Sequence, residues 1–255
     1  MIAARVFPTL LIRKRGLYKG IRFKDHKYVG DPINAVRIFN DKEVDEIAVI
    51  DIEGSRSGVP IDPEFVRQFA AECFIPLTVG GGVSNIDQAK ALLQAGAEKI
   101  LINSAAITRP ALVGELASVF GSSSVVVGID YKRSLFGKPV VVSHCGSRST
   151  NLDPLEWAIE AAELGAGEIV MTSIDRDGTG EGYDTRMLAR VTAAVSVPVA
   201  ASGGLGALEH IEDVVRSARV SAVTGGSFFV FHGARRAVLI SFPKRADLES
   251  LLQTN

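Results

Sequence analysis

The sequence predicts an α/β fold of the (β/α)₈ TIM-barrel class, a single domain over residues 1–255 with an internal half-barrel duplication. Three observations predict it. The length, 255 residues, suits one eight-stranded barrel and buries roughly three quarters of the unfolded surface in one core. Eight short apolar runs alternate with stretches of helical period, the signature of parallel strands buried on both faces. The two halves also echo each other: Ile75–Gly82 returns as Val197–Gly204, with Pro76 and Pro198 122 positions apart, and Glu46-Ile47 returns as Glu168-Ile169 at the same offset. Two strands sharing one offset close to half the chain indicate a duplication.

The elements follow in order. Arg5–Ile12 and Glu46–Ile52 are nearly continuous apolar runs and read as the first two strands. Leu77–Val79 is the third, leading into Ile86–Gly96, which is apolar on one face and polar on the other and is therefore a helix. Gly96-Ala97 sits where that helix should be capped and handed to the fourth strand, Lys99–Ile102. Leu112–Phe120 is the next amphipathic stretch, and the β-branched run Val125–Ile129 the fifth strand. Pro154–Gly165 repeats the pattern, with Gly165-Ala166 as cap before the sixth strand, Glu168–Thr172. Val197–Ala200, the helix Leu208–Ser217 and Ala222–Thr224 complete the eight. No linker or low-complexity segment divides the halves.

Composition excludes several classes. Net charge is −1 with acids and bases interspersed, so nothing supplies the basic field that nonspecific nucleic-acid binding needs. No apolar run reaches the roughly 18 residues of a membrane span, and the N-terminus has no signal-peptide layout, so a cytoplasmic protein without a membrane partner is expected. The two cysteines, Cys73 and Cys145, and the four histidines, His26, His144, His210 and His232, have no metal-ligand spacing. The cysteines read as reduced side chains, and no metal site is expected.

In a barrel of this class the chemistry lies at the C-terminal ends of the strands, where Gly-rich turns can offer N–H groups to phosphates. Two such sets mirror each other. Gly80-Gly81-Gly82 after strand three and Asn103-Ser104 after strand four make one; Gly203-Gly204 after strand seven and Gly225-Gly226-Ser227 after strand eight make the other. They suit an elongated ligand phosphorylated at both ends, or else the glycines only form tight turns. Asp51, Asp130, Asp175 and Asp177 close predicted strands. A carboxylate there transfers protons if burial raises its pKa, or caps the next helix. Capping fits Asp51 better, and a chemical role fits Asp130.

These residues, with Lys19-Gly20, Gly30-Asp31-Pro32, Thr172–Gly180 and Gly182-Tyr183-Asp184-Thr185, make the whole chain resemble the cyclase subunit of imidazole glycerol phosphate synthase. The resemblance implies a barrel taking ammonia from a glutaminase docked at its N-terminal face and passing it to a bisphosphorylated substrate, with no cofactor. It implies Asp130 as one of two catalytic acids and Lys19 as a mobile-loop residue over the substrate. It implies phosphate-end contacts at Gly82, Asn103, Asp177, Gly204 and Ser227, with Ser104, Gly178 and Gly226 beside them. It also implies an ammonia gate of Arg5, Glu46, Lys99 and Glu168, two cations and two anions that can satisfy one another at the rim of an apolar barrel.

The family's second acid belongs at the end of strand one, in a Pro-x-Leu-Asp-Val context, where this chain reads Pro8-Thr9-Leu10-Leu11-Ile12. Losing one side of an acid–base pair costs on the order of 10²–10⁴ in rate. Gate retained and acid lost together resemble a divergent branch of the family encoded with surface-polysaccharide pathways. Lys27–Asn40 and Arg236–Pro243 carry the same likeness. That branch implies a barrel working with a glutaminase and an ATP-dependent amidotransferase that turns an acetamido sugar into an acetamidino sugar during O-antigen synthesis. The expected function is thus ammonia channelling. The alternatives are an authentic histidine-pathway cyclase, using Asp130 alone or with Asp177, and a non-catalytic scaffold that activates its glutaminase. The related isomerase of that pathway shares the duplicated barrel, but it too needs a strand-one acid, and it needs no gate.

Overall fold

A computed structural model describes residues 4–233 and 235–253, so the ends of the expected domain, residues 1–3 and 254–255, lie outside the described residues. Eight parallel strands form the centre: β1 (Arg5–Arg13), β2 (Ile47–Asp51), β3 (Leu77–Gly80), β4 (Lys99–Ile102), β5 (Val125–Arg133), β6 (Glu168–Ser173), β7 (Val199–Ser202) and β8 (Ala222–Gly225). Each pairs with the next in sequence, and β8 pairs with β1, so the sheet closes. Around it stand α1 (Pro32–Asp41), α2 (Pro63–Ala71), α3 (Ile86–Gln94), α4 (Ala111–Phe120), α5 (Pro154–Glu163), α6 (Thr185–Ala194), α7 (Leu208–Ala218) and α8 (Arg245–Gln253). This is the (β/α)₈ barrel. Among the described residues no helix is long and apolar enough to cross a membrane.

Local chemistry sets the helix boundaries. Asp31, Asp62 and Asp153 each precede a proline at the first helical position and accept a backbone N–H of the first turn, which stops α1, α2 and α5 from unwinding backwards. At the other end, Gly96 and Gly165 take positive φ just past α3 and α5. Ala97 N donates to the Leu92 carbonyl at 3.1 Å and Gly96 N to that of Leu93 at 3.0 Å, and Ala166 and Gly165 repeat this on Ala161 and Ala162. These are the paired C-terminal bonds that a glycine cap allows.

Strand alternation divides the apolar residues between two cores. Outward side chains such as Val6, Leu10, Val79 and Ile100 join the helices in one large cluster. Inside the barrel a separate small cluster forms from Phe7, Ala48, Ala200 and Ala222, with Val170 against it. Where such barrels usually fill the centre with branched aliphatics, three of these five residues are alanine, and space is left along the axis.

Two strands run on past the barrel rim into hairpins. Gly16–Ile21 pairs with the end of β1 and with Lys24–Gly30, while β5 continues to Arg133 and pairs with Pro139–Ser143, which pairs with Arg148–Ser149. The fifth strand therefore does not close at Asp130, as the sequence suggests, and Lys19, expected on a mobile loop over the substrate, sits in the strand Gly16–Ile21 of the first hairpin. Strands one and five are opposite each other in an eight-stranded ring, yet the hairpins meet over the mouth, with the Phe23 ring against Gly146.

Candidate functional site

At the N-terminal end of the barrel the first inward residues of four strands meet. Arg5 bonds to both Glu46 and Glu168, and Lys99 Nζ lies 2.9 Å from a carboxylate oxygen of each. Cation and anion alternate around the ring, and each charge has two opposite neighbours. The Glu46 and Glu168 side chains are only 3% and 7% exposed, so two carboxylates survive there because each is multiply bonded. Thr78 Oγ1 adds a 2.6 Å bond to Glu46. Burial opposes the Arg5 charge, but the two carboxylates outweigh it and hold its pKa above the ordinary value.

Above this ring a cavity of about 360 Å³ runs to the C-terminal mouth. Its lining begins at Glu46 and Glu168, continues through Ala48, Thr78, Val126 and Val170, and opens among Leu11, Lys19, Asp130 and the glycine turns. Of the inner cluster, Phe7, Ala48 and Val170 line this cavity, and Ala48 puts only a methyl group into it. Hydroxyls punctuate the wall: Thr9 bonds at 2.7 Å to Thr224 behind it, and Thr172 bonds to Asp130.

Asp130 is the titratable centre of the mouth. Asn103 Nδ2 donates to its Oδ2 at 2.8 Å. Burial raises the carboxyl to about 7, against the lowering effect of Thr172 and Asn103. Such a group holds or releases a proton near neutral pH. The Asn103 Oδ1 is buried with no partner, so this amide belongs to the Asp130 cluster and has one acceptor left to offer a ligand. Leu11, half-buried on β1 between Tyr18 and Ile50, lines the same cavity with only methyl groups. No second acid stands there.

Lys19 reaches into the mouth from its hairpin. Its Nζ donates to the Thr9 carbonyl at 2.5 Å and lies close over Gly226. Burial lowers its pKa to about 8, offset in part by Asp177, whose own carboxyl burial raises to about 6 with Lys19 pulling it back. Asp177 lies beyond the end of β6 in a turn, where Arg22 N donates to its carbonyl at 2.9 Å and ties the hairpin down.

The glycine turns are built alike in both halves. Gly81 and Gly82 have φ of 104° and 80°, Gly203 and Gly204 of 83° and 120°. A Cβ on Gly204 would lie 2.0 Å from the Gly182 carbonyl oxygen, and one on Gly82 2.6 Å from that of Val59. Only glycine fits at either point. Gly178, Gly226 and Ser227 line the same mouth. Ser104 does too, but its hydroxyl accepts from His144 N at 2.8 Å and so anchors the second hairpin. Of the other acids, Asp51 accepts Glu53 N at 2.8 Å, the turn-capping role expected of it. Asp175 accepts Arg133 N at 2.7 Å and is absent from the cavity wall.

Sequence reasoning missed the hairpin residues His26, Phe23, His144 and Cys145, all in the cavity wall. Burial lowers the histidine pKa values and raises that of the Cys145 thiol, whose Sγ lies 2.9 Å from the Ile52 carbonyl. The one local signal in the sequence is Gly146; in the structure His144, Cys145 and Gly146 all take positive φ, as a tight reversal requires.

A family described as histidine biosynthesis protein matches residues 5–235. Among curated relatives, hisF2 of Pseudomonas aeruginosa is 46% identical over 243 residues, 95% of this chain and 97% of its own. HisF of Leptospira interrogans is 43% identical over 252 residues (98% and 99%), and hisF3 of Vibrio vulnificus 39% over 254 (99% and 98%). All three are provisionally named as subunits of imidazole glycerol phosphate synthase.

Proposed function

The chain belongs to the histidine biosynthesis protein family, as a relative of the cyclase-type barrel subunits, and from that premise we propose that it is an ammonia-channelling subunit whose final chemistry is done elsewhere. The observation that carries this reading is the pairing of opposite ends: an intact ring of Arg5, Glu46, Lys99 and Glu168 below, and above it Asp130 with Leu11, and not a second acid, at the end of β1. A glutaminase at the N-terminal face releases ammonia against the ring. Movement of Lys99, the monodentate and more flexible cation, breaks two of the four ion pairs and opens the floor. Neutral ammonia then passes Ala48, Thr78, Val126 and Val170, a wall whose apolar part penalises ammonium through its desolvation cost.

At the mouth Asp130 lacks the partner acid that ring closure needs. The glycine turns with Ser227 and Lys19 hold a phosphorylated ligand, with Asn103 and Asp177 beside them, and the ammonia is used by an ATP-dependent amidotransferase acting on a surface-polysaccharide sugar. The setting is cytoplasmic. Two measurements test this. Purified glutaminase with and without the barrel should differ in glutamine hydrolysis by tenfold or more, and equal rates refute the partnership. The bisphosphorylated substrate of the cyclase, supplied with ammonium salt and the barrel, should give no imidazole product, and robust product refutes the division of labour. That second result would favour an authentic cyclase using Asp130 with Asp177, a reading supported by the two raised carboxyls.

A further inference from the structure

The hairpin that extends β5 ends in a turn whose composition the fold does not require. Ser134 N donates to the Lys138 carbonyl at 2.7 Å and Gly137 N to that of Ser134 at 2.9 Å, placing Leu135 and Phe136 at the centre of the reversal. Turn centres favour Gly, Asn, Asp and Pro. Here two large apolar side chains are 102% and 93% exposed, and Arg133 and Lys138 flank them. The turn stands at the mouth end of the barrel, on the hairpin that supplies His144 and Cys145 to the cavity wall.

The two hairpins are themselves strongly basic, and the acid that meets them at the base of this turn is Asp175, whose carboxylate accepts Arg133 N. Residues 13–30 carry seven Lys and Arg against one Asp, and residues 131–152 carry four with no acid at all. On a chain of net charge −1, the remainder is therefore net acidic. Some of these bases are used internally: Arg13 pairs with Glu53 and Arg15 with Asp62. Lys14, Lys24, Lys27, Lys138 and Arg148 are exposed and have no ion-pair partner among the described residues. Apolar anchors inside a cationic rim form the core-and-rim pattern of a protein interface. A second copy of this chain paired face to face does not fit, because two basic faces repel. A lipid surface does not fit either, since it would cover the opening and leave ammonia without an acceptor.

Resting on the channelling function proposed above, we infer that the Leu135–Phe136 turn and the basic residues of both hairpins dock the protein that consumes the ammonia. That partner presents an acidic surface with an apolar pocket and opens its active site over the barrel mouth. Like-charge and opposite-charge faces set partner choice and encounter rate, so the docking is salt-sensitive.

The test uses the full barrel, its glutaminase and the purified ATP-dependent sugar amidotransferase. Binding of barrel to amidotransferase is measured by sedimentation velocity without turnover, for the wild type and for L135S/F136S. The expected result is a Kd at least tenfold weaker for the double variant, and weakened further between 0.05 and 0.5 M NaCl. Glutaminase stimulation and product from added ammonium salt should stay at wild-type levels, while glutamine-dependent product falls at least tenfold at subsaturating amidotransferase. Equal binding by the double variant overturns the proposal. So does sedimentation of wild-type barrel with phosphatidylglycerol vesicles but not with the amidotransferase, which would make the face a membrane contact. Loss of glutaminase stimulation by the wild type would instead overturn the channelling function, a result read separately from docking.

Discussion

Replacing Glu46 by Gln removes one anion from the ring and leaves Arg5 and Lys99 sharing Glu168 alone. Glutamine keeps the shape and an acceptor for Thr78, so the change is in charge. Breaking a buried ion pair by removing one member costs about 3–5 kcal/mol. The Glu46 side chain is 3% exposed but its partner Arg5 is 30% exposed, so solvent screening reduces the figure to about 2–3 kcal/mol. In a barrel of this size that lowers the Tm by about 4–12 °C. Adding Lys99→Met restores neutrality, with one cation and one anion left. The double variant should therefore be more stable than the sum of the singles by about 0.5–3 kcal/mol. Urea unfolding of the four proteins at pH 7 completes the cycle. A loss under about 0.5 kcal/mol for Glu46→Gln, or strict additivity, would mean that the ring is four solvated strand ends, and the reasoning about a closed floor fails.

Four further outcomes are expected. The Asp130 carboxyl sits at about 7 against an ordinary 3.8, so its folded form keeps a proton that the unfolded chain gives up; the associated stability is full below about pH 4 and lost as pH rises through 7. Asp130→Asn should remove that slope and be more stable than wild type at pH 8 by about 2–4 kcal/mol, checked by urea unfolding at pH 5 and 8. Lys19→Met takes away the cation that holds Asp177 down, and the Asp177 carboxyl, now at about 6, should titrate higher in a ¹³C NMR titration; an unchanged midpoint removes Lys19 as its partner. Gly204→Ala drives a methyl against the Gly182 carbonyl oxygen and should cost about 3 kcal/mol or more, whereas Gly58→Ala, with φ 72° but open space around it, should cost only about 1 kcal/mol; equal losses would discount the close approach. Leu11→Asp restores an acid facing the cavity and should raise imidazole formation by about 10²-fold or more over wild type, and no gain would mean that Leu11 is not the sole defect.

The barrel was legible because its signals are local and repeated. Six strands match their expected spans closely, the fifth runs on four residues to Arg133, and both Gly-Ala caps do what glycine after a helix does. The seventh starts at Val199 instead of Val197, because Pro198 has no N–H to give the ladder. Arg5, Glu46, Lys99 and Glu168 stand at the expected strand starts, yet their alternation as a closed ring of ion pairs depends on distances across the barrel that no spacing encodes. The hairpins were not legible. Lys24–Gly30 is polar and cationic, with none of the alternation that marks a half-buried strand, and Asp130 reads as a strand end when only its neighbours at Val142 and Thr172 reveal the continuation. The Asn103–Asp130 contact and the Lys19–Asp177 proximity join residues 27 and 158 positions apart. Those contacts, like the burial that dominates the pKa shifts of the site and that they partly offset, are tertiary facts.

In the proposed function, ammonia travels inside this barrel and leaves it unconsumed at the mouth. Its most direct test is isotopic. The glutaminase, the barrel and the sugar amidotransferase are given glutamine labelled with ¹⁵N at the amide, in a bath of excess unlabelled ammonium, and the ¹⁵N content of the sugar product is read by mass spectrometry. Channelling gives product that stays predominantly ¹⁵N-labelled with wild-type barrel and is diluted towards the bath when the lumen is blocked by Ala48→Trp. Product whose label matches the bath with the wild-type barrel would contradict it.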